Sequence, residues 1–170
     1  MTKAMNNDYH DLRLLEMAEH RLMLEEFLVK KANLQVRDKE SRNTLYWAIK
    51  NRSRHNTTLL LKYKIDLMVT DTLHAIFHAI SSHDIETFIY LLDSNLVNLN
   101  IKNIIGESLL MRAVHVESVP MVRHLINHGA DLYASNDDEA MAIDYAQHCK
   151  NRDVYNLVYY RILNEKSRKK

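Results

Sequence analysis

Two glycines and one proline are very few for a chain of 170 residues. Strands joined by tight turns draw on glycine for positive φ and on proline for a preset bend, so a hairpin-built sheet is disfavoured. So few glycines also leave no backbone cradle for phosphate, and no Gly-x-Ser-x-Gly elbow is present. The single cysteine, Cys149, excludes an internal disulfide and a Cys-x-x-Cys pair, and fits a reducing compartment. No apolar run approaches the roughly 20 residues of a membrane helix. The opening MTKAMNNDYHD has no apolar core of a secretory signal. A cytoplasmic, non-membrane protein is the expectation. Neither sign of charge dominates: 23 basic and 22 acidic side chains leave +1, too little for bulk attraction to a polyanion. What the chain does hold is helix-forming, rich in Leu, Met, Ala, Glu, Lys and Arg. With 46% hydrophobic residues it can build one domain with a continuous core.

A unit recurs along it. Ala18, Ala48, Ala79, Ala113 and Ala146 are spaced by 30, 31, 34 and 33 residues. Three residues before each stands an apolar side chain: Leu15, Leu45, Ile76, Leu110 and Ile143. That spacing puts both groups on one face of a helix. About ten residues further on comes a second apolar cluster: Phe27 and Leu28, Leu59 to Leu61, Leu91 and Leu92, Leu125 and Ile126, Leu157 and Val158. An exit turn follows, clearest in Gly129-Ala130-Asp131-Leu132. Gly129 suits the left-handed residue that ends a helix, and Lys31, Lys64 and Asn95 take its place in other units. Pro120 falls in the first turn of a second helix, where its missing N–H costs nothing. Each unit therefore reads as helix, turn, helix and extended loop, and such a pair buries its apolar faces only by stacking on a neighbour.

These units resemble ankyrin repeats. The family pattern runs Gly-x-Thr-Pro-Leu-His-x-Ala-Ala, then a Gly-His turn, Val-Val-x-Leu-Leu, and Gly-Ala-Asp-Val-Asn. Gly106, Ser108, Leu110, Ala113, Val122, Leu125, Gly129, Ala130, Asp131 and Leu132 follow it in order. Leu45, Ala48, Leu59, Leu60, Asp66 and Leu67 do so in an earlier unit, and Ala142-Ile143-Asp144-Tyr145-Ala146 in the last unit resembles the Ala-Leu-Asp-x-Ala often seen in the family. The resemblance implies an all-α, ankyrin-like helix-turn-helix repeat solenoid with short loop or hairpin fingers. It places a single domain over residues 1–170, with repeats near 8–38, 39–70, 71–102, 103–135 and 136–165 and a basic tail at 166–170. The Thr-Pro pair is nowhere intact, and Glu16, Tyr46, Phe77, Met111 and Asp144 stand where the family has a loop-tying His. The fingers are thus expected to lack that tie.

In the family, partners lie against a concave face made by the fingers and the outer edge of the first helices. Carried onto this chain, the position before each anchor Ala gives Met17, Trp47, His78, Arg112 and Tyr145. The positions just after it add Lys50, Ser81, Ser82, His115 and His148, with Arg52 and Arg54 in the following turn. The fingers contribute Arg37, Lys39, Arg42, Lys102, Asp137 and Asp138. Trp47 and Tyr145 are natural interface anchors, because aromatics dominate binding hot spots; packing within the repeats is the other use for them. Charge is also uneven. Residues 30–64 hold ten basic and two acidic side chains, and residues 131–144 hold five acidic and no basic ones. Such asymmetry can orient a partner carrying complementary patches.

No catalytic constellation emerges. His74 and His78, like His124 and His128, have the i, i+4 spacing that can serve one metal, but neither pair has a His-Glu-x-x-His glutamate or a nearby cysteine pair. Structural or surface roles are expected for them, and no cofactor or metal. Cys149 has only His148 and Lys150 beside it, and no activating partner fixed by sequence. The expected function is a non-enzymatic protein-interaction module: an adaptor, inhibitor or scaffold. Two alternatives stand beside it. One is a bacterial or viral effector delivered into a host cell to act on host proteins. The other is binding of nucleic acid or an anionic surface through Lys50, Arg52 and Arg54.

Overall fold

The computed structural model describes residues 21–30 and 32–168, with the side chains of 21–23 excepted. Leu15, Glu16, Met17, Ala18 and Lys31 lie outside the described residues. Two compact units divide the chain, one ending at Thr87 and the other beginning at Phe88. The described residues form nine helices and no strands: α1 Arg21–Val29, α2 Thr44–Lys50, α3 Arg54–Lys62, α4 Ala75–Ser81, α5 Ile85–Asp93, α6 Leu109–His115, α7 Val119–Asn127, α8 Ala142–Gln147 and α9 Arg152–Arg168. This is an all-α fold of ankyrin-like helix pairs, joined by fingers; among the described residues the only sheet-like pairing is an isolated bridge at the base of three of them: Met68 with His74, Lys102 with Ser108, Ser135 with Met141.

Why these stretches become helices is visible at their ends. Asn43, His74 and Ser108 precede α2, α4 and α6, and each side chain accepts a backbone N–H of the first turn. Before α8 the bond is reversed: Asp144 reaches back to the N–H of Met141. Pro120 sits within the first two positions of α7. At the other end, the first helices stop on Arg52, His83 and Glu117, all with positive φ. In each case the next two amides close the helix, as where Arg52 N–H reaches Ile49 O and Ser53 N–H reaches Ala48 O. The second helices stop the same way on Lys64, Asn95 and Gly129, so the left-handed exits expected at those three residues are present.

The apolar faces meet as the spacing required. In the first unit α2 packs on α3 and α4, and α1 packs on α3. Leu45, Ala48, Ile76 and Ala79 are fully buried. In the second unit α6 packs on α7 and α8, and α9 covers α7 and α8. Leu110, Ala113, Leu125 and Ala146 are buried there, while Ile143 is only half-buried. Part of the basic tail falls within the described residues. Lys166 and Arg168 lie in the last turn of α9, where positive charge complements the carbonyl end of the helix.

Candidate functional site

The fingers have a tie that the resemblance did not suggest. Asp38, Thr70, Asn103 and Asn136 recur at intervals of 32, 33 and 33 residues. Each curls its own finger around one side-chain oxygen. Oδ1 of Asp38 accepts the N–H of Glu40 and Arg42; Oδ1 of Asn103 accepts those of Ile105 and Glu107; Oδ1 of Asn136 accepts those of Asp138 and Ala140. The Thr70 hydroxyl does the same for Thr72 and Leu73. These local side-chain bonds make a tight loop with little glycine. These bonds lie within each finger and stand beside the missing histidine tie between neighbouring fingers. The signal was legible as an Asx or Thr at the repeat period, but it lies outside the family's best-known motif.

In two of the four fingers, those of Asp38 and Asn136, the remaining polar atom reaches the residue before the anchor Ala; in the Asn103 finger it donates to Glu107 instead. In the first unit, Oδ2 of Asp38 accepts the indole N–H of Trp47 at 3.2 Å and the Nε–H of Arg42 at 2.7 Å. The Arg42 guanidinium lies 4.4 Å from the Trp47 ring centre, and Lys50 Nζ lies 4.9 Å from it. Burial opposes ionisation of Asp38, but hydrogen bonds from the Arg42 amide and guanidinium and from the Glu40 amide outweigh it and hold the carboxyl below its usual range. Trp47 is half-buried, so it both clamps its finger and shows one edge outward.

Other first-unit candidates divide. Arg37 is committed to the chain itself, bonding Asp66 and the carbonyls of Ser41 and Met68. Arg52 and Ser82 come together, the arginine donating to the serine carbonyl. Arg54 stands 3.4 Å from Glu86 on an exposed surface. Lys39 and Ser81 are exposed. His78 is corrected as a surface contact: only 6% of it is accessible. It stacks on Tyr46 with ring centres 4.2 Å apart, and its Nε2 is 3.0 Å from the Tyr46 carbonyl. Burial depresses its pKa, as it does that of His74.

In the second unit, Asn136 Nδ2 donates to the Tyr145 hydroxyl at 3.0 Å. The His115 ring meets Tyr145 edge-on, with centres 6.0 Å apart. These two residues line an open cleft of about 440 Å³ together with His148, Cys149, Glu117, Asp144 and Ala140. Three sequence candidates, His115, Tyr145 and His148, are thereby gathered into one concavity. At its rim, Glu117 accepts the N–H groups of Lys150 and Asn151, which keep its carboxylate ionised below the usual range. Burial, with the Glu117 charge as a smaller cause, pushes the Cys149 thiol up. A thiol held protonated is a poor nucleophile. Arg112 is drawn inward instead, its Nε 3.2 Å from the buried Glu107 carboxylate, which also accepts from Asn103. Lys102 spans to the next finger, donating to the Ser135 carbonyl. Asp137 is in close contact with Gly106, where a Cβ would strike both its carboxylate and its backbone nitrogen. Asp138 is exposed.

The ankyrin-repeat family model matches residues 106–134, the stretch from Gly106 through α6 and α7 to the exit turn. That stretch is an ankyrin repeat. The helix pairs α2–α3 and α4–α5 before it share its side-chain cap on the first helix and its positive-φ closing turns, whereas α8 after it has neither. No curated protein matches the chain.

Proposed function

We propose that the protein is a protein-interaction module that takes its partner on the fingers and on the cleft beside α8. An ankyrin repeat suggests this class of function and is generally non-enzymatic. The observation that carries the reading to a place is Tyr145. Its ring is half-exposed in an open cleft, and its hydroxyl is already held by Asn136, so little side-chain entropy is left to lose on binding. His115 and His148 flank it with exposed surface. Trp47 has a similar character on the first unit, a half-buried ring held by Asp38 with two cations close to it. No helix among the described residues is long and apolar enough to cross a membrane.

Binding of nucleic acid through the basic run is disfavoured by the local pairing of its cations. Arg37 faces Asp66, Arg42 faces Asp38 and Glu40, and Arg54 faces Glu86. An adaptor or inhibitor in its own cell and an effector acting on host proteins both use the same face, so both extracts belong in the test. The full chain serves as bait beside a His115→Ala, His148→Ala variant, which removes exposed cleft side chains without touching the finger ties. A partner enriched by the parent chain should be lost from the variant. A partner held equally by both, or one whose retention falls steeply with salt and is cancelled by Lys50→Glu, Arg52→Glu and Arg54→Glu, would reject the cleft assignment.

A further inference from the structure

Away from the cleft, Asp93, His124 and His128 bring three ligand atoms within 4.8 Å of one another. Asp93 is the last residue of α5, His124 lies in the last turn of α7, and His128 caps that helix. Asp93 Oδ1 is 3.1 Å from His124 Nε2 and 3.9 Å from His128 Nε2. The two imidazoles are stacked, with centres 4.0 Å apart. We propose that these three side chains form a divalent-metal site, with zinc as the ion that best fits the donor set.

The orientation of the donors carries the argument further than their proximity. His128 Nδ1 is 2.8 Å from the His124 carbonyl oxygen. A carbonyl only accepts, so in the neutral ring Nδ1 carries the hydrogen and Nε2 keeps its lone pair, directed to the side where Asp93 stands. This backbone bond is the kind of outer contact that fixes the tautomer of a metal-ligating histidine. His124 Nε2 is buried and has no hydrogen bond of acceptable geometry, although the Asp93 oxygen is close. It is a polar atom for which an ion supplies the missing partner. The edge of Phe88 packs on the His124 ring, with centres 5.7 Å apart, and gives the site an apolar wall.

Metal–nitrogen and metal–oxygen bonds of roughly 2.0–2.2 Å place neighbouring donors of a tetrahedral sphere roughly 3.3 Å apart. Asp93 and His124 already stand at about that spacing, and the half-exposed His128 has to move inward to complete the sphere. Two imidazoles and one carboxylate suit zinc better than calcium or magnesium, which take oxygen donors. Asp93 and His128 are about half-exposed, which leaves the fourth position to water or to a group from a partner. Bound zinc would staple the end of α5 to the end of α7, joining the second helices of successive repeats. The i, i+4 histidines were legible in sequence; the carboxylate that completes the set stands 31 residues before His124 and only the repeat stacking brings it near.

Chelator-treated full-length protein should be titrated with zinc chloride by calorimetry at neutral pH, and with cobalt(II) as a spectroscopic probe. The parent chain should bind one ion at this site, raise its melting temperature with zinc, and give the visible absorption of low-coordinate cobalt. Asp93→Asn and His128→Ala change half-exposed side chains. Each should keep the metal-free melting temperature close to that of the parent, weaken zinc at least about tenfold and abolish the cobalt band. His115→Ala, His148→Ala should bind as the parent does. Absence of saturable binding, or affinity unchanged in both Asp93→Asn and His128→Ala, would overturn the proposal. Loss of binding in the His115→Ala, His148→Ala variant would do so as well, by assigning the ion to the cleft.

Discussion

At the scale of single residues, scarcity of glycine leaves a mark on the backbone. Seven described non-glycine residues hold a positive φ, among them Arg52, Lys64, His83, Asn95 and Glu117 at helix exits. The geometry of these exits demands a left-handed residue, and an L side chain adopts it at a cost of roughly 1–2 kcal/mol relative to the right-handed region. Lys64 is exposed. Lys64→Gly should therefore raise stability, by about 0.5–1 kcal/mol once the greater freedom of glycine in the unfolded chain is subtracted. Glu117 has φ 55°, nearly the same as the 57° of Lys64, yet its carboxylate holds the amides of Lys150 and Asn151. Glu117→Gly should be destabilising despite the same relief of strain. Urea midpoints of the two variants check this: equal shifts would show that the side-chain bonds of Glu117 contribute nothing.

At the scale of the element, the helices were legible and the fingers only partly so. Apolar spacing places Leu45 with Ala48, Ile76 with Ala79 and Leu110 with Ala113 on inward faces, and all six are buried. Such periodicity survives because helix burial depends on residues three and four apart, which sequence displays directly. His78 was misplaced because its position in the repeat is also where Trp47 and Tyr145 emerge, and whether such a residue turns outward depends on what faces it. For His78 the facing group is Tyr46, which offers both a ring and a carbonyl. For Trp47 and Tyr145 the sequence allows both an anchor and a packing role; the structure gives them bonds to Asp38 and Asn136 together with partial exposure. The finger tie predicts a separable effect. Asn136→Ala removes the acceptor for Asp138 and Ala140 and the donor to Tyr145, and should cost about 1–2 kcal/mol. Asn136→Asp keeps the acceptor for the loop and offers its second oxygen to the Tyr145 O–H in place of the amide donor, so it should spare the loop. Amide exchange at Asp138 and Ala140 should accelerate in the first variant and not in the second; equal acceleration in both would place the tie elsewhere.

At the scale of the whole molecule, partner identity was not legible, because the framework that sequence reveals is shared by every repeat and the exposed residues that choose a partner follow no period. The ionisable groups buried or bonded within that framework do set one global property, the dependence of stability on pH. Burial depresses the pKa of His74 and of His78 from the ordinary 6.5, the latter against an opposing bond to the Tyr46 carbonyl. Below that ordinary value the unfolded chain binds protons that the folded chain refuses, so stability falls as pH drops from about 6.5 toward the depressed folded values. Asp38 and Glu117, whose carboxyls are held low, act further down: their contribution is full above their ordinary 3.8 and 4.5 and is lost as pH falls through the folded values. Two acid limbs should therefore appear in a plot of urea midpoint against pH. His74 and His78 both lie in the first compact unit, and so does Trp47, the chain's single tryptophan. Its fluorescence should follow the upper limb. His78→Gln offers an amide to the Tyr46 carbonyl and cannot take up a proton, so it should flatten that limb in part and leave the lower one unchanged. A midpoint that stays constant from neutrality through the ordinary histidine range, or an upper limb unaltered in His78→Gln, would show that His78 is not held neutral by the fold.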